Sequence, residues 1–116
     1  AEELYSAVES SQKGTASLYS PLTFDRLLGL LAITCGRVDA ALAHFEDGLA
    51  FCDRAGYPPE YAWTASDYAE ALLARNHPGD REHAITLQDT ALKIARELGM
   101  RPLMQRILAR RELLKA

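Results

Sequence analysis

Apolar residues recur along this chain at spacings of three and four, the period of a helix with one buried stripe. Residues 2 to 13 place Leu4, Ala7, Val8 and Ser11 on one face, and Gly14 ends that segment. Ser20-Pro21 then supplies a helix start, because the serine hydroxyl can accept from a free first-turn amide and proline fits a position whose N–H has no partner. That helix runs to about Cys35 with Leu27, Leu28, Leu31, Ala32 and Ile33 inside, and Gly36 turns the chain. A third helix, about 38 to 55, lines up Val38, Ala41, Leu42, Phe45, Leu49 and Cys52, and Gly56 stops it. Pro58-Pro59 opens a fourth, to about Arg75, with Ala62, Ala65, Tyr68, Ala69, Leu72 and Leu73 on its core side. Asn76-His77-Pro78-Gly79 is the clear loop, after which Asp80 caps a fifth helix over 80 to 98 with Ala84, Ile85, Ala91, Leu92, Ala95 and Leu98 as its stripe. Gly99 ends it, and Pro102 opens a sixth that carries Leu103, Met104, Ile107, Leu108 and Leu114.

Small residues sit where two helices must approach closely (Gly29, Ala41, Gly48), and they recur at a fixed interval. Gly14 to Gly56 is 42 residues; Gly56 to Gly99, Gly36 to Gly79, Ala41 to Ala84, Gly48 to Ala91 and Leu49 to Leu92 are each 43. Hairpins of this kind cannot bury their apolar faces alone, so neighbours must stack. The pattern predicts one all-α domain, a right-handed stack of antiparallel helical hairpins with about six helices. Its expected parts are a half repeat over 1–14, a hairpin over 20–56, a second over 58–99 and a capping helix over 101–116. A start in mid-repeat, without an initiator Met, leads us to expect a piece of a larger protein.

The order Leu28-Gly29, Gly36, Ala41, Phe45 and Gly48-Leu49 resembles the tetratricopeptide (TPR) repeat, with a period longer than its usual length of about 34 residues. A narrower resemblance is carried by Tyr61-Ala-Trp-Thr-Ala-Ser-Asp-Tyr-Ala-Glu-Ala-Leu-Leu-Ala-Arg, Pro78-Gly-Asp-Arg-Glu-His-Ala, Ala91-Leu92 and Ala95-Arg-Glu-Leu-Gly-Met. Over about residues 22 to 100 these runs resemble the C-terminal helical-repeat region of bacterial LuxR-type and MalT-like regulators and of ATPase-linked adenylate cyclases. The sequence departs from that pattern at Asn76, where Gly is usual, and at Gln88, where a Phe45-like anchor would leave the second hairpin better filled. The resemblance implies a regulatory or interaction arm of a signalling or transcription-regulating protein, effector-sensing in some members.

Charge changes the picture only at the end of the chain. Residues 1 to 85 carry 6 basic and 13 acidic side chains, whereas residues 86 to 116 carry 7 and 3, so a basic last helix follows an acidic body. The formal charge of −3 argues against a dedicated nucleic-acid binder. Arg101, Arg106, Arg110, Arg111 and Lys115 fit a helix dipole and solubility at least as well as a phosphate surface. With two cysteines, Cys35 and Cys52, both among apolar residues, we expect buried thiols in a reducing cytoplasm rather than a disulfide framework. No apolar run spans a membrane and no signal peptide opens the sequence.

Nothing in the chain matches a phosphate-binding glycine loop, a dinucleotide fingerprint, Cys-x-x-Cys or His-Glu-x-x-His, so we expect no cofactor and no catalytic site. His44, His77 and His83 lie on different elements, which argues against a metal. The carboxylates near Ser66, Asp67 and Glu70 lack a nearby base and read as a solvated or groove-lining face. The candidate site is instead the surface formed by the first helix of each hairpin: Thr23, Arg26, Leu30 and Ile33 from one, Trp63, Ser66, Glu70 and Leu73 from the next. An aromatic beside charges suits a groove for a protein or peptide partner or for other domains of the same chain, although Trp63 could equally plug the stack. Another class of function, an effector pocket of Trp63, Tyr61 and Arg26, stays open. Leu103, Met104, Ile107 and Leu108 exceed what one neighbouring hairpin needs, which points to a homodimer contact there or on residues 2 to 13.

Overall fold

A computed structural model of the chain describes residues 24–115 and Glu3, and these residues alone are considered below. The expected segment over residues 2 to 13, the Ser20-Pro21 start and Thr23 lie outside them. Five helices account for the described residues: α1 Phe24–Thr34, α2 Val38–Ala55, α3 Pro58–Arg75, α4 Asp80–Leu98 and α5 Arg101–Lys115. No strand occurs among the described residues.

The helix ends follow from local chemistry. Gly56 and Gly99 take up left-handed backbone at φ 65° and 69° and close α2 and α4 in the same way. The amide after each glycine bonds back to a carbonyl five residues earlier, Tyr57 to Cys52 at 3.0 Å and Met100 to Ala95 at 2.8 Å. Gly36 closes α1 similarly, through Arg37 N–H to the Ala32 carbonyl at 2.8 Å. The counterpart of Gly36 is Asn76 (φ 55°, ψ 40°), which ends α3 with its N–H on the Leu72 carbonyl. Gly79 instead precedes α4 as its N-cap, so the expected pairing of Gly36 with Gly79 is corrected. Asp80 is also not the cap. It is the first residue of α4, and its carboxylate accepts from His77 N–H at 3.0 Å. Because left-handed backbone strains any residue with a Cβ and Asn bears it better than most, Asn76→Ala should cost about 1 kcal/mol in urea unfolding while Asn76→Gly should not destabilise. Equal losses for both would show that the conformation is not what holds this turn.

Asp80 also joins two turns. Arg75 donates to both of its carboxylate oxygens (2.8 and 2.7 Å) and reaches Asp39 at the start of α2 (3.1 Å). The fork of Arg75 holds the Asp80 carboxyl well below its ordinary 3.8, at about 2. A carboxyl lowered by folding adds stability above its unfolded pKa and loses it as pH falls through the folded one. Asp80→Asn should therefore melt below the parent chain at neutral pH, with the gap closing between about 4 and about 2. A gap that persists at the acid end would show that the carboxylate's charge is not the cause.

Burial repeats along the chain. In α2 the buried positions include Ala41, His44, Phe45, Gly48, Leu49 and Cys52; in α4, 43 residues on, Ala84, Leu87, Gln88, Ala91, Leu92 and Ala95 are buried. In the first helices Asp25, Leu28, Gly29 and Ala32 are buried, as are Ala65, Tyr68, Ala69 and Leu72, 40 residues on. The three-residue difference is shared by the end of α3, the link to α4 and the start of α4.

Gly29 is where α1 and α2 approach closely. A Cβ built there would lie 2.5 to 2.8 Å from the ring of Phe45, which is wholly buried. Beside it Gly48 fits between Asp25 of α1 and Thr64 of α3. These contacts run antiparallel, and α2 lies against both α1 and α3. The Phe45 ring stacks near Tyr68 (centroids 6.3 Å), and Tyr68 meets His83 of α4 edge-on.

Gln88, at the place of Phe45 in the second hairpin, is 2 % exposed, and its Oε1 accepts from Arg111 Nε of α5 at 3.1 Å. Arg111 also pairs with Asp89 and bonds the Ile85 carbonyl. Helix α5 thus supplies a polar partner where the first hairpin has an aromatic anchor. The four residues of the expected dimer face are placed differently from one another. Leu103 and Ile107 are buried in the chain's own core and Met104 packs against it, leaving only Leu108 exposed.

Candidate functional site

Helix α3 carries Glu60, Trp63, Asp67 and Glu70 at i, i+3, i+7 and i+10, and this spacing puts them on one face. Neighbouring helices supply the cations. Arg26 of α1 donates from Nε to Asp67 Oδ2 at 2.7 Å and from Nη1 to Glu60 Oε1 at 3.2 Å. Its guanidinium lies 5.4 Å from the centre of the Trp63 ring, within cation–π range. From the other side Arg106 of α5 meets Glu70 Oε2 at 2.7 Å and Asp67 Oδ1 at 3.6 Å. Asp67 therefore stands between two guanidinium groups that belong to α1 and α5.

The side chains of Glu60 and Asp67 are only 3 % exposed. Burial raises the Asp67 pKa, and the charge and hydrogen bond of Arg26, together with Arg106, oppose that rise. These groups form a seam that fixes α1, α3 and α5 side by side. Its charges largely satisfy one another.

The structure distributes the expected groove residues unequally. Arg26, Trp63 and Glu70 come together in the seam, with Trp63 half-buried against the core. Ser66 is buried. Leu30 and Leu73 are half-buried at the core's edge, and Ile33 is exposed. Glu60 was not among the candidates. An acid in the first turn after Pro58-Pro59 reads as a dipole partner, and only its heptad offset from Asp67 hints at a shared face.

Tyr61 lies elsewhere. Two residues apart on a helix, Tyr61 and Trp63 point about 200° apart, which separates the expected pocket of Trp63, Tyr61 and Arg26. Tyr61 instead lines an open hollow of about 390 Å³ with Cys52, Asp53, Gly56, Tyr57, Pro58, Thr90, Ile94, Glu97 and Leu98. Burial, then Asp53 and Glu46, push the Tyr61 phenol up. Cys52 is buried, and burial with Glu60 and Asp25 raises its thiol to about 11, so it is a packing group and not a nucleophile.

His44 is buried, whereas His77 and His83 are exposed. Among the described residues no group of three or more His, Cys, Asp or Glu could hold a metal ion, and no helix is long and apolar enough to cross a membrane. Compared with protein-family models, curated proteins and solved structures, the chain matches none.

Proposed function

We propose that this chain is a non-catalytic protein-interaction or regulatory module, a right-handed TPR-like stack of helical hairpins from a bacterial signalling or transcription-regulating protein. The carrying observation is the seam: Arg26 and Arg106 tie the first helix of each hairpin and the last helix into one continuous face. On that face Arg26, Leu30 and Ile33 of α1 fall at i, i+4 and i+7, and Trp63, Glu70 and Leu73 follow the same stripe on α3. Leu30, Ile33, Trp63 and Leu73 leave apolar surface outside the core along it. A rigid charged seam edged by apolar atoms selects a partner segment by shape and register.

Peptides selected on this protein from a random displayed library test the reading. They should bind Ile33→Lys/Leu73→Lys at least tenfold more weakly, by isothermal calorimetry, while that variant melts like the parent. Unchanged affinity would remove this face from the proposal. A metabolite that raises the melting temperature by several degrees would favour effector sensing instead.

A further inference from the structure

The hollow around Tyr61 is built on different residues from the seam. The end of α2, the start of α3 and the last turns of α4 enclose it, and it falls near the lower end of the range for binding pockets. Its apolar lining includes Tyr57, 39 % exposed, and Leu98, 50 % exposed, so two large apolar side chains meet water at its mouth. Among the described residues Asp53 of α2 and Glu97 of α4 are the charged groups in its lining, and none of those lining it is basic. An apolar recess with carboxylates and no cation attracts a group that is greasy at its tip and positive around it.

We propose that this hollow receives an apolar side chain from a basic, amphipathic segment of a protein partner, with Asp53 and Glu97 engaging lysine or arginine on either side of the anchor. The proposal goes beyond the seam reading, since it adds a second contact surface that shares no residue with the first. Such a segment presents one leucine, methionine or phenylalanine per turn between cations, the form in which helices enter grooves. The anchor would displace water from Tyr57, Ile94 and Leu98. The carboxylates would set its orientation.

The probe is a synthetic amphipathic peptide of about fourteen residues with leucines at i, i+3 and i+7 and lysines between, titrated into the ¹⁵N-labelled chain and followed by amide chemical shifts. Shifts should concentrate on Asp53, Tyr57, Tyr61, Ile94, Glu97 and Leu98. Asp53→Lys/Glu97→Lys, two exposed positions, should weaken binding about tenfold at low salt. The same peptide with alanine for its leucines should bind about tenfold more weakly or not at all. Ile33→Lys/Leu73→Lys should leave the titration unchanged, which keeps this test separate from that of the seam. Shifts scattered over the acidic surface, or an affinity indifferent to the rim substitution, would overturn the proposal. Shifts of the same amides on concentrating the protein alone would overturn it too, by assigning the hollow to a second copy of the chain.

Discussion

Phe45→Ala lowers the unfolding free energy by about 3–5 kcal/mol, the loss expected when a wholly buried aromatic leaves a cavity. That is a large share of the about 5–15 kcal/mol that holds a domain together, so the variant should be partly unfolded near body temperature. The reason lies in the placement of the ring. It covers Gly29 of α1 on one side and stacks near Tyr68 of α3 on the other, so α1, α2 and α3 all lose contact at once. A double-mutant cycle sharpens the test. Gly29→Ala alone must push the ring off its site and should cost about 1–2 kcal/mol despite the better helix propensity of alanine. In the Phe45→Ala background the same change should cost nothing or stabilise, because the new methyl enters the vacated space. Additive losses by urea denaturation would mean that the close approach of Gly29 to Phe45 is not what sets the spacing of α1 and α2.

Arg26→Met should cost about 3–5 kcal/mol at neutral pH, since it removes the cation shared by two carboxylates that are 3 % exposed. Its pH dependence identifies the cause. Burial raises the Asp67 pKa above the ordinary 3.8, and losing Arg26 removes the first of the groups that oppose the rise. A carboxyl raised by folding costs stability while it is ionised, and that cost is relieved as pH falls through the folded pKa toward the unfolded one. The gap between parent and variant should therefore shrink as pH falls from about 7 toward about 4. Arg26→Lys should recover only part of the loss, because one ammonium cannot meet Glu60 and Asp67 with the geometry of a guanidinium fork. A loss below about 1 kcal/mol, or one that grows with acidity, would make the seam an ordinary surface contact.

The two experiments probe different parts of the same repeat. Phe45 and Gly29 belong to the packing layer, which the spacing of small and large residues made legible. The seam lies between the first helices and α5, and there the residue types alone did not tell which charges pair. Arg26, Glu70 and Trp63 look like groove furniture in sequence, and in the fold Arg26 also engages Glu60, Asp67 and the Trp63 ring while Glu70 engages Arg106. Ser66 looks like a polar groove position and is buried. Leu103 and Ile107 look like surplus apolar surface, and the chain's own core takes them in.

By itself the sequence determined where the described helices run and, at Gly36, Gly56 and Gly99, how they end. Those features depend on contacts within four or five residues: an apolar residue every third or fourth position, prolines at a first turn, glycine in left-handed backbone at a close. It also determined the near-constant interval between equivalent positions, because close-packed helices need their small residues at matching heights. Only the tertiary structure decided which charges leave water. Desolvation of Glu60 and Asp67 is offset by Arg26, 34 and 41 residues away, and Gln88 meets Arg111, 23 residues on. Partners at such separations meet through the stacking of whole helices, and no local period in the chain encodes them. The hollow at Tyr61 arises likewise, where the end of α2, the start of α3 and the last turns of α4 come together.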